Sequence, residues 1–203
     1  MKSVDFYYDY GSPASYLAWT QLPGLCQRHQ AALNYKPIVL GAIFKATGNA
    51  SPAAVPAKGR YVMQDLARWA KKWGVQLNVN PHFPIDTIVL MKMAVGVQLR
   101  MPQRFDSFNR SIFSALWVDA RNLGDATEVA RTLHGAAFNP AVMQGLTVET
   151  DVRESLRRNT NEAIDRGAFG APTYFVGDEM FWGQDRLQML EETLAAHENR
   201  GGG

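Results

Sequence analysis

The chain begins and ends on short strand-like patterns, and a long helical period separates them. Residues 3–9 (SVDFYYD) are β-branched and aromatic, the pattern of a buried strand. From Pro13 to about Arg28 the apolar positions take up helical spacing. Pro13 suits a first helical turn, where its missing N–H would have had no helical partner. Residues 34–40 (NYKPIVL) return to a strand pattern, and Pro37 there points to a sheet edge or a bulge. Together these segments predict a βαβ unit: a parallel strand pair with a right-handed crossover.

Between 60 and 167 the period is helical. Segments 60–74, 86–99, 103–118, 126–135, 139–145 and 149–167 read as helices, several of them followed by Gly or Pro breakers. After Gly170 the pattern changes back. "PTYFV" and "MFW" are short strands joined by Gly177-Asp178-Glu179, a plausible tight hairpin. A closing helix runs from about Gln184 to His197, with Leu187, Leu190, Leu194 and Ala195 at core spacing. The order β-α-β, many helices, β-β-α is an α/β arrangement. Its simplest assembly is one sheet domain from residues 1–43 and 168–200, with a large all-helical domain, 44–167, inserted between the halves. The glycines at 201–203 read as a disordered tail.

Composition narrows the classes. The chain has 203 residues, 46% hydrophobic and 20% charged, which is ordinary for a soluble globular protein with one sizeable core. A net charge of +2 without a basic run gives no reason to expect nucleic acid. No apolar stretch approaches the roughly 18 residues of a transmembrane helix, and "MKSVDFYYDY" lacks the apolar core of a secretory signal. One cysteine, Cys26, excludes an internal disulfide; it is compatible with the cytoplasm and reads as a small buried hydrophobe. The four histidines show no metal-ligand spacing, so no metal is expected.

The predicted element order is the thioredoxin-like arrangement, in which a Cys-x-x-Cys sits where the first strand meets its helix. Here that place carries Ser12-Pro13-Ala14-Ser15, which cannot perform dithiol–disulfide exchange. The helix N-terminus remains. It favours a nearby anion by roughly 0.3–1 kcal/mol, and a thiolate bound there has a lowered pKa. The inference is a site that borrows a thiol; the alternative is that Ser12 is an N-cap worth about 1 kcal/mol. Ala171-Pro172-Thr173 precedes a strand at the place where thioredoxin-like folds carry a cis-proline. A cis bond there turns the Ala171 peptide outward to pair with a peptide-like ligand; the alternative is a trans proline that opens a strand. Tyr7, Tyr8 and Tyr10 alternate around the first strand, and core packing is expected for at least half of them. Asp9 is expected to make a turn hydrogen bond, and Trp69 and Trp73 a packing stripe.

Four strings in order, "DYGSPASYLA", "LGAIFKATGN", "PAKGRYVMQDLARWA" and "FGAPTYFVGDEMFWGQDRL", make the chain resemble the 2-hydroxychromene-2-carboxylate isomerases and the related kappa-class glutathione transferases over nearly its full length. The resemblance implies a thioredoxin-like domain interrupted by helices, glutathione as cofactor, and a homodimer. It puts Ser12 on the family's catalytic serine, which hydrogen-bonds the glutathione sulfur. Asn49 and Lys58 match glutathione-site positions, and Ala171 and Pro172 match the backbone clamp on the cysteinyl unit. Gly183, Gln184 and Asp185 match the loop that holds the γ-glutamyl group, where Asp185 can pair with its ammonium; helix capping is the plainer role for Gln184 and Asp185.

The implied reaction is cis–trans isomerisation of a small aromatic-degradation intermediate by transient thiol addition. A kappa-type transferase or peroxidase acting on electrophiles is the alternative, and a non-catalytic glutathione-binding module is a third class. Lys45, Lys58 and Arg60 are candidates for a substrate carboxylate, with Tyr10 and Phe83 as candidate substrate contacts. In the loop after Asn49, "ASPAAVPAKG" replaces the Asn-Arg pair of some isomerases and looks more like the kappa-class pattern.

Overall fold

The computed structural model describes residues 2–200, with the last four described by their backbone alone. Four strands and nine α-helices are described. The first half runs β1 (Ser3–Tyr8), α1 (Pro13–Arg28), β2 (Ala32–Pro37), α2 (Leu40–Thr47), α3 (Pro56–Trp73), α4 (Ile88–Arg100) and α5 (Phe105–Trp117). It continues with α6 (Ala126–Gly135), α7 (Pro140–Leu146), α8 (Thr150–Asp165), β3 (Thr173–Val176), β4 (Glu179–Trp182), a 3₁₀ turn Gln184–Arg186, and α9 (Leu187–Arg200). The expected tail at 201–203 lies outside the described residues.

The sheet order is β2-β1-β3-β4. β1 pairs with β2 in parallel, Phe6 opposite Tyr35. It pairs with β3 antiparallel, Phe6 opposite Tyr174, and β3 pairs antiparallel with β4 across the Gly177-Asp178 turn. Gly177 has φ +59°, a conformation glycine adopts without a Cβ penalty. The fold is thus α/β and thioredoxin-like, with helices inserted between the two halves of the sheet.

α1 has the bounds its sequence predicts. The second strand does not: β2 stops at Pro37, which has no N–H for the ladder, and Leu40 already opens α2. The expected boundary between residues 43 and 44 falls inside that helix. Ala195 is only partly buried, whereas Leu187, Leu190 and Leu194 are core residues.

β1 faces two layers. Phe6 stacks on Tyr8 and on Tyr174, with centroids 5.0 and 5.6 Å apart, and joins a core that includes Leu17 and Leu22 of α1. Tyr7 points the other way, onto Phe175, Ile43 and Ala163. The first of these cores runs on without a break into Met91, Phe108, Phe113 and Leu156 of the inserted helices. The insertion therefore shares its packing with the sheet and presses on the turn that follows β1.

Candidate active site

The turn after β1 is built on Asp9. Its carboxylate is 4% exposed, yet it accepts hydrogen bonds from three segments. Oδ1 accepts from the Gly11 N–H at 2.9 Å and the Thr87 hydroxyl at 2.5 Å, and Oδ2 accepts from the Leu40 N–H at 2.9 Å. The Asp9 carbonyl accepts from the Ser12 N–H at 3.0 Å. Burial pushes the Asp9 carboxyl above the ordinary carboxylate range, and the bonds from Thr87, Leu40 and Gly11 oppose that rise. The turn bond expected of Asp9 is present, but the residue also ties β1 to the start of α2 and to the segment before α4. Thr87 was not legible as its partner: "DTIVL" reads as a helix start, and the hydroxyl crosses to another element instead of capping its own.

Ser12 follows. It has extended backbone, φ −98° and ψ 111°, and is the N-cap of α1. Its Oγ accepts from the Ser15 N–H at 3.1 Å and donates to the Ala171 carbonyl at 3.0 Å. The capping role and a role facing Ala171 therefore coexist. The Ala171-Pro172 bond is cis. The Pro172 carbonyl accepts from the Gly183 N–H at 3.0 Å, and the Thr173 hydroxyl donates to the Gly170 carbonyl at 2.8 Å. Gly183 has φ +98°, and a Cβ there would lie 2.6 Å from Asp185 Oδ1. Three loops thus meet at one point: the turn after β1, the turn before β3, and the turn that opens α9. At that point the N–H groups of Ala14 and Ala171 have no hydrogen-bond acceptor among the described residues.

Asn49 is brought to the same place. It follows Gly48, which ends α2 in a left-handed conformation at φ +70°. Asn49 Nδ2 donates to the Phe169 carbonyl at 2.8 Å, two residues before Ala171, and its Oδ1 accepts from the Ala50 N–H at 2.8 Å. Lys45, Lys58 and Arg60 are exposed and make no hydrogen bond or ion pair to a described residue. Gln184 is buried, and Asp185 pairs with Arg186 at 2.6 Å.

Phe83 is half-buried, and its ring lies 5.9 Å from that of Trp117. The Trp117 Nε1–H donates to the Tyr10 carbonyl at 2.8 Å, so Phe83 sits behind the turn that carries Ser12. Tyr10 is a correction. It is 0% exposed, its ring packs edge-on against Phe113, and its hydroxyl donates to Asn109 Oδ1, which also accepts from Tyr8. It offers no edge to a ligand. Tyr10 falls two residues after Tyr8 and joins the same core as Phe6 and Tyr8, with its ring centroid 5.5 Å from that of Tyr8. Cys26 is buried on α1, which pushes its thiol up to about 11 and leaves it without nucleophilic character near neutrality.

Two clefts flank this core. One, about 580 Å³, follows the free edge of β2 beside α4 and α8. The other, about 350 Å³, lies between α1, α3 and the turn that opens α9, and Gln184 and Asp185 line it. Ser12 lines neither. Among the described residues no helix is long and apolar enough to cross a membrane.

The chain matches the model of the DSBA-like thioredoxin domain over residues 3–195. It is 31% identical to a 2-hydroxychromene-2-carboxylate isomerase of Sphingobium xenophagum over 95% of this chain and 98% of that one. It is 29% identical to glutathione S-transferase kappa 1 of Caenorhabditis elegans, covering 96% and 91%. A solved structure of a 2-hydroxychromene-2-carboxylate isomerase superposes with a TM-score of 0.84 at 29% identity, covering 98% of this chain and 97% of that one. With serines at both positions of the thiol motif and a cis-proline opposite Ser12, the chain belongs to the DSBA-like thioredoxin-domain family, among the 2-hydroxychromene-2-carboxylate isomerases and kappa-class glutathione transferases.

Proposed function

We propose that this protein is a glutathione-dependent isomerase of a small aromatic carboxylate, of the 2-hydroxychromene-2-carboxylate type. The observation that carries the reading is the Ser12 hydroxyl 3.0 Å from the Ala171 carbonyl, beside the N–H groups of Ala171 and Ala14, which have no acceptor among the described residues. These groups suit glutathione. An extended peptide laid along Ala171 finds one acceptor and one donor, in the manner of an added strand. A sulfur anion beside Ser12 finds a hydroxyl donor and the start of a 16-residue helix. Asp185 is the acid for the γ-glutamyl ammonium, and Asn49 fixes the loop ahead of Ala171.

Bound glutathione supplies a thiolate nucleophile for reversible addition to the substrate's double bond. The chain's own part is to hold, orient and polarise. Ser12 swings its proton from the Ala171 carbonyl to the sulfur, which keeps the sulfur anionic, since a hydrogen bond to the charged form favours it. The Ala171 carbonyl is then free to accept from the ligand's backbone. Lys45, Lys58 and Arg60, which have no acidic partner among the described residues, are the cations for the substrate carboxylate, and Phe83, packed on Trp117 behind the Ser12 turn, is the candidate for its apolar side. The two walls of this site are the sheet domain (1–43 and 168–200) and the helical insertion (44–167). A cytoplasmic homodimer completes the reading, as the likeness to the family implies.

A kappa-type transferase is the second reading, favoured by the loop "ASPAAVPAKG". Both activities are assayed on the purified chain, with and without glutathione. Glutathione-dependent spectral conversion of the chromene carboxylate supports the isomerase. Conjugation of a chlorinated dinitrobenzene without that conversion supports the transferase. Glutathione binding without either activity leaves a binding module.

A further inference from the structure

The cleft between α1, α3 and the turn that opens α9 has the composition of a second binding site. At about 350 Å³ it is at the lower end of the range that takes a small organic ligand. One wall is aromatic: Trp69 and Trp73, one turn apart on α3, lie with ring centroids 4.9 Å apart, and both are only partly buried. Leu25 of α1 and Leu187 of α9, both nearly buried, add apolar lining. The tryptophans thus line a cavity as well as forming the packing stripe that their spacing predicts.

The charges around the cleft are sorted. Arg28 pairs with Glu191 at 2.7 Å, and Asp185 pairs with its neighbour Arg186 at 2.6 Å, both at the exposed rim. Lys72 holds its ammonium 4.5 Å from the centroid of the Trp69 ring and has no carboxylate partner among the described residues. It is a cation already poised on an aromatic face. The Trp73 plane is tilted 45° from that of Trp69, so a flat ring stacks on Trp73 alone, and an acid group on it reaches the Lys72 ammonium that lies over Trp69. A cationic ligand would be repelled by Lys72, and a purely apolar one would leave the ammonium unanswered.

We propose that this cleft binds an aromatic carboxylate, with its ring on Trp73 and its carboxylate on Lys72. The site is separate from Ser12, which does not line it. Gln184 and Asp185 do line it, so occupancy is coupled to glutathione binding; that clause alone rests on the functional reading above.

The test is calorimetric titration of the full chain with 2-naphthoate. Saturable binding is expected, with a dissociation constant in the high-micromolar to low-millimolar range for so small a ligand, and the part of it that belongs to this cleft is the part that Lys72→Gln weakens. Lys72→Gln weakens it about three- to fivefold, the worth of one exposed ion pair, and Trp73→Leu weakens it about tenfold or more through loss of stacking. Ser12→Ala leaves it unchanged. The uncharged analogue 2-naphthol binds the unaltered chain more weakly than 2-naphthoate and is insensitive to Lys72→Gln. No saturable heat, equal affinity in the unaltered chain and Lys72→Gln, or a loss in Ser12→Ala each overturns the proposal. Lys72 is exposed, so its variant decides the matter even if Trp73→Leu fails to fold. Glutathione affinity is then measured with and without saturating 2-naphthoate, and a several-fold change is expected. Failure of glutathione to bind at all counts against the functional reading and leaves the naphthoate result standing.

Discussion

The hydroxyl of Ser12 spans the gap between the start of α1 and the carbonyl of Ala171, donating at 3.0 Å to one while accepting from Ser15 at 3.1 Å on the other. A cysteine at this position would be a poor substitute in both directions, since its S–H is a weak donor and its sulfur a weak acceptor. The site has therefore exchanged redox capacity for hydrogen-bonding capacity. Ser12→Ala removes both bonds. It is expected to lower stability by about 1 kcal/mol through the lost cap, seen as a small drop in thermal midpoint. It is also expected to lower glutathione-dependent turnover by about a hundredfold or more, the scale of losing one donor to a reacting anion. Calorimetric melting and initial-rate assays on the same preparation separate the two effects.

Asp9 gives a second prediction. Asn has one acceptor oxygen where Asp9 has two, so Asp9→Asn turns an amide NH₂ toward the Leu40 N–H or toward Thr87. A cost of about 1–3 kcal/mol is expected from the unsatisfied buried donor. The pH dependence has a definite sign. The folded pKa is raised, so between the ordinary carboxylate value and the raised one the folded state holds a proton that the unfolded state has lost. The stability contributed by Asp9 therefore grows as pH falls through that window and declines as pH rises through it. Urea unfolding across the acidic range is expected to show this slope in the unaltered chain and to lose that component in the variant.

Gly183 gives a third. Its φ of +98° with ψ 152° belongs to a region essentially reserved for glycine, and a Cβ would collide with Asp185 Oδ1 at 2.6 Å. Gly183→Ala is expected to cost about 1–3 kcal/mol and to displace Asp185. Chemical denaturation reads the first effect, and weaker glutathione binding in a direct titration reads the second.

Cys26 gives a fourth. Burial raises its thiol from 9.0 to about 11, which leaves about a hundredfold less thiolate at neutral pH than an unperturbed thiol. Maleimide labelling of the folded chain is expected to be slow and to become rapid once denaturant exposes α1. Mass spectrometry of time-quenched samples measures both rates.

What the sequence could tell depended on how local each feature is. α1 was legible end to end, because Ser12, Pro13 and the apolar spacing all act within a few residues. The junction of β2 and α2 was not, because "PIVLGAIF" is apolar across it and neither period stands out. Nearness to Ser12 in the chain suggests Tyr10 as a substrate contact, although two-residue alternation from Phe6 and Tyr8 puts it on their core-facing side, where it is found. Ser12 and Ala171 were legible as partners only through the element order and the family resemblance. The bond from Thr87 to Asp9 joins residues 78 positions apart and leaves no mark on either neighbourhood. The pairing of Ser12 with the Ala171 backbone was thus readable, but not the buried carboxylate of Asp9 that holds the neighbouring loops together.

The central claim is that Ser12 donates to a borrowed sulfur. Its most direct measurement is the thiol pKa of protein-bound glutathione, read from thiolate ultraviolet absorbance in a pH titration of the complex. The account predicts a value well below that of free glutathione in the unaltered chain, and a rise toward the free value in Ser12→Ala with glutathione still bound. An unshifted thiol in the unaltered complex, or an equal shift in both proteins, would contradict it.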